Sequence, residues 1–240
     1  MINFGIRQSF ENIEQIEERF SNLDVPVEVA LPYYWNIYEP IRSHLKEISE
    51  KIKTLRINVL SVHAVQAPLT NERFEVWGRE TADFAKDLGV EIITLHPNNS
   101  NKTPVLQERV IKSLERLNIL CQNSVVFSVE TFSGKRRIFT PDEIVKFNLP
   151  MTLDVAHLEN NNEIWKLLES YLDHIVCVHL SAKEKDKHHL PIDNFCKDVV
   201  KYLIRNNWNG NVILEYLSEF HDMLYKDVKY LAELSILKRK

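Results

Sequence analysis

Eight short apolar segments alternate with helical patterns along this chain, and this alternation most restricts how it can fold. The apolar segments are rich in Val, Ile and Leu, and we interpret them as mostly apolar on both faces. That is typical of strands buried on both sides of a parallel sheet. The predicted strands are Ile2–Arg7, Val25–Leu31, Asn58–Ala64, Glu91–Pro97, Ser124–Thr131, Met151–Leu158, Ile175–Ser181 and Asn211–Leu217.

Helical patterns occupy the intervals between these strands. Thr140-Pro141-Asp142-Glu143 is a strong start signal, because Thr can cap a helix, Pro suits its first position and Glu can complete a capping box. Gly89 is well placed to follow the end of the third helix. The predicted helices are Phe10–Leu23, Glu39–Leu55, Glu72–Leu88, Pro104–Cys121, one that starts at Thr140, Asn162–Leu172, Asn194–Asn206 and Phe220–Leu237.

Eight strand-then-helix units predict an α/β fold, specifically a single (β/α)8 TIM barrel formed by residues 1–240. An open, doubly wound sheet is the competing fold. It is disfavoured because no glycine-rich phosphate loop follows the first strand, and the whole chain has only five glycines.

The composition disfavours some classes of protein without excluding them. The 240 residues are 44% hydrophobic and 27% charged, which is ordinary for a globular protein. The net charge of −4 gives no global attraction to nucleic acid or to an acidic membrane. With no signal peptide at Met1 and no apolar run long enough to span a membrane, we expect a cytoplasmic protein without membrane contact. Its oligomeric state is left open. Cys121, Cys177 and Cys196 are odd in number and widely spaced, which favours reduced thiols.

From the third strand onward, residue types that bind metals stand at or just past the strand ends. The carboxyl ends of barrel strands meet at one mouth, where barrel enzymes have their active sites. A carboxylate that ends an apolar strand would be costly to bury without a cation. Nitrogen and oxygen ligands without cysteine suit Zn²⁺, Mn²⁺, Mg²⁺ or Co²⁺, and the histidine content favours Zn²⁺ or Mn²⁺. The residues are His63, His96, Glu130, Asp154, His157, His179, Asp186, His188 and Glu215.

The order of these short segments resembles the xylose isomerase-like TIM barrels. That superfamily includes the sugar isomerases and epimerases and the endonuclease IV group. The resemblance extends over essentially the whole chain and implies a metal-dependent enzyme. It is carried by Ser61-Val62-His63-Ala64, Thr94-Leu95-His96-Pro97, Ser128-Val129-Glu130, Leu153-Asp154-Val155-Ala156-His157, Val178-His179-Leu180 and Ile213-Leu214-Glu215.

In the isomerase and epimerase branch, the resemblance implies one divalent ion held by Glu130, Asp154, His179 and Glu215. Glu130 and Glu215 would also be the catalytic residues that move a proton at the carbon next to a carbonyl, while the ion polarises the sugar oxygens.

Further residues around the mouth are candidates for binding the substrate. His157, His63 and His96 would line the pocket in the one-ion site. Lys183 flanks the site, and Trp35 follows the second strand, where it could stack on a sugar ring or pack over the mouth.

In the endonuclease IV branch, three zinc ions use further ligands that match His63, His96, His157, Asp186 and His188. Such ions activate water to cleave a DNA phosphodiester. The Tyr-Leu wedge of that branch is missing after His63, and its Asp-Thr-Cys-His is Asp-Val-Ala-His here. The metal ligands are therefore matched where the DNA-handling residues are not.

The position of one site histidine is ambiguous. His189-Leu190-Pro191 fits a His-Leu-Pro sequence found in many isomerase-like members, although the glycines that follow there are missing. If His189 is the matching residue, Asp186 loses its ligand role. We favour Asp186 with His188.

The leading hypothesis is therefore a metal-dependent isomerase or epimerase of a small sugar or sugar phosphate. The second is a three-zinc phosphodiesterase that acts on abasic DNA, the only case in which DNA would be a partner. The third is a barrel that keeps its ligands but serves in binding or regulation.

Overall fold

The structure is a computed structural model that describes residues 1–10, 14–20, 23–32, 41–97, 102–133, 137–185 and 187–237. Eight parallel strands close into a barrel in the order β1-β10-β7-β6-β5-β4-β3-β2, confirming the single (β/α)8 TIM barrel. The barrel strands are β1 (Ile2–Ser9), β2 (Val27–Ala30), β3 (Val59–His63), β4 (Ile92–Leu95), β5 (Val126–Glu130), β6 (Met151–Asp154), β7 (Ile175–Leu180) and β10 (Gly210–Leu214). A separate antiparallel hairpin follows β7 and consists of β8 (Ala182–Glu184) and β9 (Lys187–Leu190).

A helix follows each barrel strand, as the sequence predicts. The helices are α1 (Gln15–Phe20), α2 (Arg42–Thr54), α3 (Phe74–Asp87), α4 (Pro104–Leu120), α5 (Pro141–Lys146), α6 (Asn161–Tyr171), α7 (Asn194–Arg205) and α8 (His221–Leu237). The capping box at Thr140 is present, and Gly89 follows α3 with a positive φ of 72°. In the described part of the chain, no helix is both long and apolar enough to cross a bilayer.

The main core lies between the barrel and its helices. Alternate strand residues such as Val62, Phe127 and Val178 face outward and pack with helix residues such as Trp77 and Leu114 in one buried cluster. All three cysteines are buried and free, which agrees with reduced core thiols.

The inner face of the barrel carries several buried polar side chains, and this corrects the expectation of strands that are mostly apolar on both faces. Thr94 of β4 and Thr152 of β6 contact each other through their hydroxyl groups at 3.1 Å, although β5 lies between their strands. Both side chains must therefore point into the barrel. Ser128 of β5 lies 2.7 Å from the same Thr152 hydroxyl. Most Val and Ile residues of the strands lie on the outer face, although Ile213, in register with His179, lies on the inner one.

The sixth predicted strand is too long, because a turn ends β6 at Asp154. The Asp154 carboxylate accepts hydrogen bonds from the backbone N–H groups of Ala156 and His157 at 2.8 and 2.9 Å. Such short-range bonds from an Asp side chain replace strand pairing with a turn. The same turn brings the His157 ring back toward the barrel mouth.

Thr152→Val should test the hydroxyl chain inside the barrel. The change keeps the shape of residue 152 but leaves the Thr94 and Ser128 hydroxyl groups without this partner. We expect the free energy of unfolding to fall by about 1–3 kcal/mol, measured by urea denaturation. Thr81→Val is the control, because the buried Thr81 hydroxyl donates only to Trp77 in the preceding turn of α3. An equal loss in both variants would contradict a special role for the chain.

Candidate metal centre

The barrel brings four of the predicted ligands together at its mouth. Glu130 and Asp154 are the last residues of β5 and β6, His179 lies in β7, and Glu215 directly follows β10. Asp154 pairs in register with His179, which pairs with Ile213 two residues before Glu215. One ligand atom of each of the four residues lies within 4.8 Å of the others.

The three carboxylates of this group surround one ring nitrogen of His179. His179 Nδ1 lies 2.9 Å from Glu130 Oε1, 3.7 Å from Glu215 Oε2 and 3.8 Å from Asp154 Oδ2. Glu130 and His179 are fully buried, Asp154 is 1% exposed, and the Glu215 side chain is 16% exposed. The cluster therefore opens to solvent on the Glu215 side.

Unpaired polar atoms at the mouth fit a cation. Among the described residues, eight buried side-chain nitrogen or oxygen atoms have no hydrogen-bond partner, and seven of them lie here. Buried polar atoms are normally paired, so such a concentration calls for a ligand. The seven are Glu28 Oε1, His63 Nε2, His96 Nδ1, Glu130 Oε2, Asp154 Oδ2, His157 Nδ1 and Glu215 Oε2. This oxygen-rich set with imidazole nitrogens suits a divalent cation.

Crowding and burial change the pKa values of the clustered carboxyl groups. Burial and the charges of Glu130 and Glu215 raise the pKa of Asp154 to about 8. Burial also works against the ionised form of Glu130 and Glu215. For Glu130, the neighbouring His179 and His63 outweigh burial and hold its pKa well below the ordinary value.

Two cationic groups compensate part of this negative charge. Burial lowers the pKa of His179, but Glu28, Cys177 and Glu130 outweigh it and raise that pKa well above the ordinary value. Arg7 Nη1 lies 2.5 Å from Glu215 Oε1. Against the opposing effect of burial, Arg7 lowers the pKa of Glu215 to about 2. Glu130 and Glu215 are thus ionised at neutral pH.

A second group of possible ligands shares Glu130 with the first. One ligand atom each of His96, Glu130 and His157 also lies within 4.8 Å of the others. His63 Nε2 and His96 Nε2 are 3.7 and 3.6 Å from Glu130 Oε2. Burial lowers the pKa of His96 to about 4 and also lowers the pKa of His157, so both rings are neutral, the form that binds metals.

Phe132 closes the side of this second group. Its ring centroid is 5.3 Å from that of His96 and 4.6 Å from that of His157. Phe132 lies two residues after the end of β5 and is partly exposed. It therefore offers an apolar surface beside the candidate ligands.

The β8–β9 hairpin places His188 and His189 differently. His188 is exposed, and its Nδ1 donates to the Ala156 carbonyl oxygen at 2.8 Å. His189 has a positive φ of 59°, an uncommon conformation for residues other than glycine, and its Nδ1 lies 3.8 Å from Glu215 Oε1. In the described part of the chain, no converging ligand group includes His188.

Of three further predicted site residues, the structure describes one, Lys183. Asp186 and Trp35 lie outside the described residues. Lys183 lies in β8 at the edge of the mouth, where partial burial lowers its pKa. Its proposed contact with substrate stays a prediction.

Arg7 and Glu28 are site residues that sequence reasoning missed. Glu28 of β2 is fully buried, and its carboxylate lies 3.1 Å from His179 Nε2. Glu28 interrupts the otherwise apolar β2, which is the signal that identified Glu130. It lies inside the predicted strand Val25–Leu31 rather than at its end, and arginine does not bind metals, so a pattern of metal-binding residue types at strand ends indicates neither residue.

Comparison with known families decides which group of barrels this is. A family model described as "Xylose isomerase-like TIM barrel" matches residues 7–234. The chain belongs to this family. A comparison with curated proteins finds no match to this chain.

Solved structures similar to this family member include both enzyme branches. A D-tagatose 3-epimerase-like protein has 18% identity and a TM-score of 0.70, covering 99% of this chain and 100% of its own. The 3-keto-D-glucoside 4-epimerase of E. coli has 15% identity and a TM-score of 0.69, covering 97% and 100%. Endonuclease IV from Thermus thermophilus has 15% identity and a TM-score of 0.62, covering 96% and 99%. At these identities, the similarity shows the fold alone.

The affinity of the centre for a divalent ion should rise with pH. Asp154 must lose a proton with a pKa of about 8, and His179 must lose one from the nitrogen that faces the carboxylates. Between pH 6 and 8, the association constant for Mn²⁺ should therefore rise by about tenfold per pH unit or more, because each bound ion releases at least one proton. Calorimetric titration in two buffers of different ionisation enthalpy measures this release. An affinity independent of pH would contradict the assignment.

Asp154→Asn should make the metal-free protein more stable at pH 8. The unfolded chain ionises Asp154 near pH 4, whereas the folded chain keeps the proton up to about pH 8. Stability of the metal-free wild type therefore falls as the pH rises through this window, and Asn removes that loss. Asn also keeps an oxygen for the Ala156 and His157 N–H groups.

Thermal unfolding of both metal-free proteins from pH 5 to 8 measures the difference between them. We expect the two unfolding temperatures to diverge as the pH rises. Parallel profiles would show that Asp154 keeps an ordinary pKa in the folded protein.

Proposed function

We propose that this chain is a divalent-metal-dependent isomerase or epimerase of a small sugar or sugar phosphate. The observation that carries the proposal is the convergence of Glu130, Asp154, His179 and Glu215 at the barrel mouth, with three of their carboxylate oxygens unpaired. Family membership and the sugar epimerases among the similar structures support it.

Glu130 and Glu215 would share one proton transfer. They belong to strands separated by β6 and β7 in the barrel, yet one oxygen of each lies within 4.8 Å of the other. Both are ionised at neutral pH, so either can accept a proton from the carbon next to a carbonyl and become a carboxylic acid. Epimerisation would be completed when the other glutamate, after taking up a proton from solvent, donates it to the opposite face of that carbon and the first returns its proton to solvent. A bound Mn²⁺ or Zn²⁺ would act as a Lewis acid on the substrate oxygens.

Other residues of the mouth would hold the substrate. His63, His96 and His157 offer ring nitrogens to hydroxyl groups, and Phe132 offers an apolar surface to one face of a sugar. Lys183 and Trp35 remain candidates for a phosphate or a sugar ring.

A zinc phosphodiesterase is the second candidate, and a specific observation favours it. His63 Nδ1 donates to the Ala64 carbonyl oxygen at 3.0 Å, and its Nε2 lies 3.7 Å from Glu130 Oε2 without a hydrogen-bond partner. A metal-binding histidine commonly donates one ring N–H to a carbonyl oxygen and uses the other nitrogen, once deprotonated, as the ligand. With the His96, Glu130 and His157 group, it would allow a second ion that shares Glu130 with the first.

Exchange of substrate hydrogen in D₂O tests the leading proposal. The Mn²⁺-loaded protein should exchange the hydrogen next to the carbonyl in at least one member of a panel of ketoses and their phosphates, followed by ¹H NMR. Glu130→Gln and Glu215→Gln should lower the exchange rate by about 10²-fold or more. Glu91→Gln, an exposed change just before β4 and so at the opposite end of the barrel, should leave the rate unchanged.

The metal content of each variant separates ligation from proton transfer. Loss of exchange with Mn²⁺ retained supports the proton-transfer role, and loss of both supports ligation. Wild-type exchange in Glu130→Gln and Glu215→Gln would contradict the proposal. Incision of an abasic-site oligonucleotide, lost in His63→Ala and His96→Ala, would favour the second candidate. A chain that binds no divalent ion would favour the third hypothesis, a barrel without catalysis.

A further inference from the structure

Glu28 is a buried carboxylate outside the set of proposed ligands. It lies in β2, the strand of Val27–Ala30, with no exposed surface. An isolated carboxylate at such depth is strongly unfavourable, so its partners indicate why it is there.

Two side chains hold Glu28. Ser61 of the neighbouring β3 donates a hydrogen bond to Oε2 at 2.8 Å. His179 Nε2 lies 3.1 Å from Oε1 and 3.3 Å from Oε2. Among the described residues, no Lys or Arg lies within ion-pairing distance of Glu28, so the His179 ring is its main cationic partner.

His179 is therefore held between two sets of carboxylates. Its Nε2 faces Glu28, and its Nδ1 faces Glu130 at 2.9 Å, with Asp154 and Glu215 within 4 Å. Only one ring nitrogen can be the ligand atom at the four-residue centre, and it is Nδ1. The proton on Nε2 then stays with Glu28.

We propose that Glu28 is a positioning residue that binds the Nε2–H of His179 and so fixes the ring with Nδ1 directed at the metal. A carboxylate behind a ligating histidine sets both its tautomer and its orientation, and it raises the basicity of the ligand nitrogen. The inference rests on the proposed metal centre but names a residue outside the four proposed ligands. Ser61 donates to Oε2 of Glu28 and limits rotation of the carboxylate.

Titration of the whole chain with Mn²⁺ alone tests this inference, with free Mn²⁺ followed by electron paramagnetic resonance. Glu28→Ala should weaken Mn²⁺ binding by about 10- to 100-fold. Glu28→Gln should lose less, because its carbonyl oxygen can still accept from Nε2–H while the charge is gone. Circular dichroism of each metal-free variant checks that it folds, and Glu28→Gln carries the test if Glu28→Ala does not.

Two further variants separate positioning from the alternatives. Thr94→Val changes a buried, inward-facing hydroxyl group without contact to Glu28 or His179, and it should bind Mn²⁺ as the wild type does. Cys177 lies with Glu28 and His179 within 4.8 Å of one another, so these three residues could also form a site of their own. A loss in Cys177→Ser equal to that in Glu28→Ala would overturn the proposal by making Glu28 a ligand.

The failure of this inference is distinguishable from failure of the proposed function. Wild-type protein that binds no Mn²⁺ would remove both. Wild-type binding with unchanged affinity in folded Glu28→Gln and Glu28→Ala would overturn the positioning role alone.

Discussion

Four carboxyl groups buried in one barrel mouth are the constraint on which the rest of this structure depends. Glu28, Glu130, Asp154 and Glu215 crowd around His179, and within the described residues only Arg7 joins His179 as a compensating cation inside this cluster. The compensation is incomplete, because Asp154 is left with a pKa raised to about 8 and with one oxygen unpaired. Stability of the folded chain is thus reduced at the place where a divalent cation would restore it.

Different strands of the closed barrel supply different residues of this centre. The four proposed ligands lie on β5, β6 and β7 and directly after β10, and His63 and His96 lie at the end of β3 and directly after β4. Strands β1 and β2 carry none of the four ligands but supply Arg7 and Glu28. Arg7 pairs with Oε1 of Glu215, and Glu28 contacts Nε2 of His179. Deeper in the barrel, the hydroxyl groups of Thr94, Thr152 and Ser128 contact one another.

The fold and the four proposed ligands could be predicted because both depend on local patterns. Eight strand-then-helix units favour a barrel, and a barrel brings the ends of its strands together, so Glu130 and Asp154 were expected to lie close together. Glu28 was missed because its importance comes from His179, which is 151 positions away in the chain and three strands away around the barrel. Sequence patterns also did not indicate how the β8–β9 hairpin, in which Lys185 and His189 both have a positive φ, separates the exposed His188 from His189 near Glu215.

The same geometry serves either reaction class, and the number of bound ions separates them. The four-residue centre alone suits proton transfer on a sugar, whereas ions at His63, His96 and His157 suit phosphodiester cleavage. Anomalous X-ray diffraction from crystals of the whole chain grown with Mn²⁺ counts the ions directly. Our account predicts one peak, bound by Glu130, Asp154, Glu215 and His179 Nδ1. Three peaks, or no peak at this centre, would contradict it.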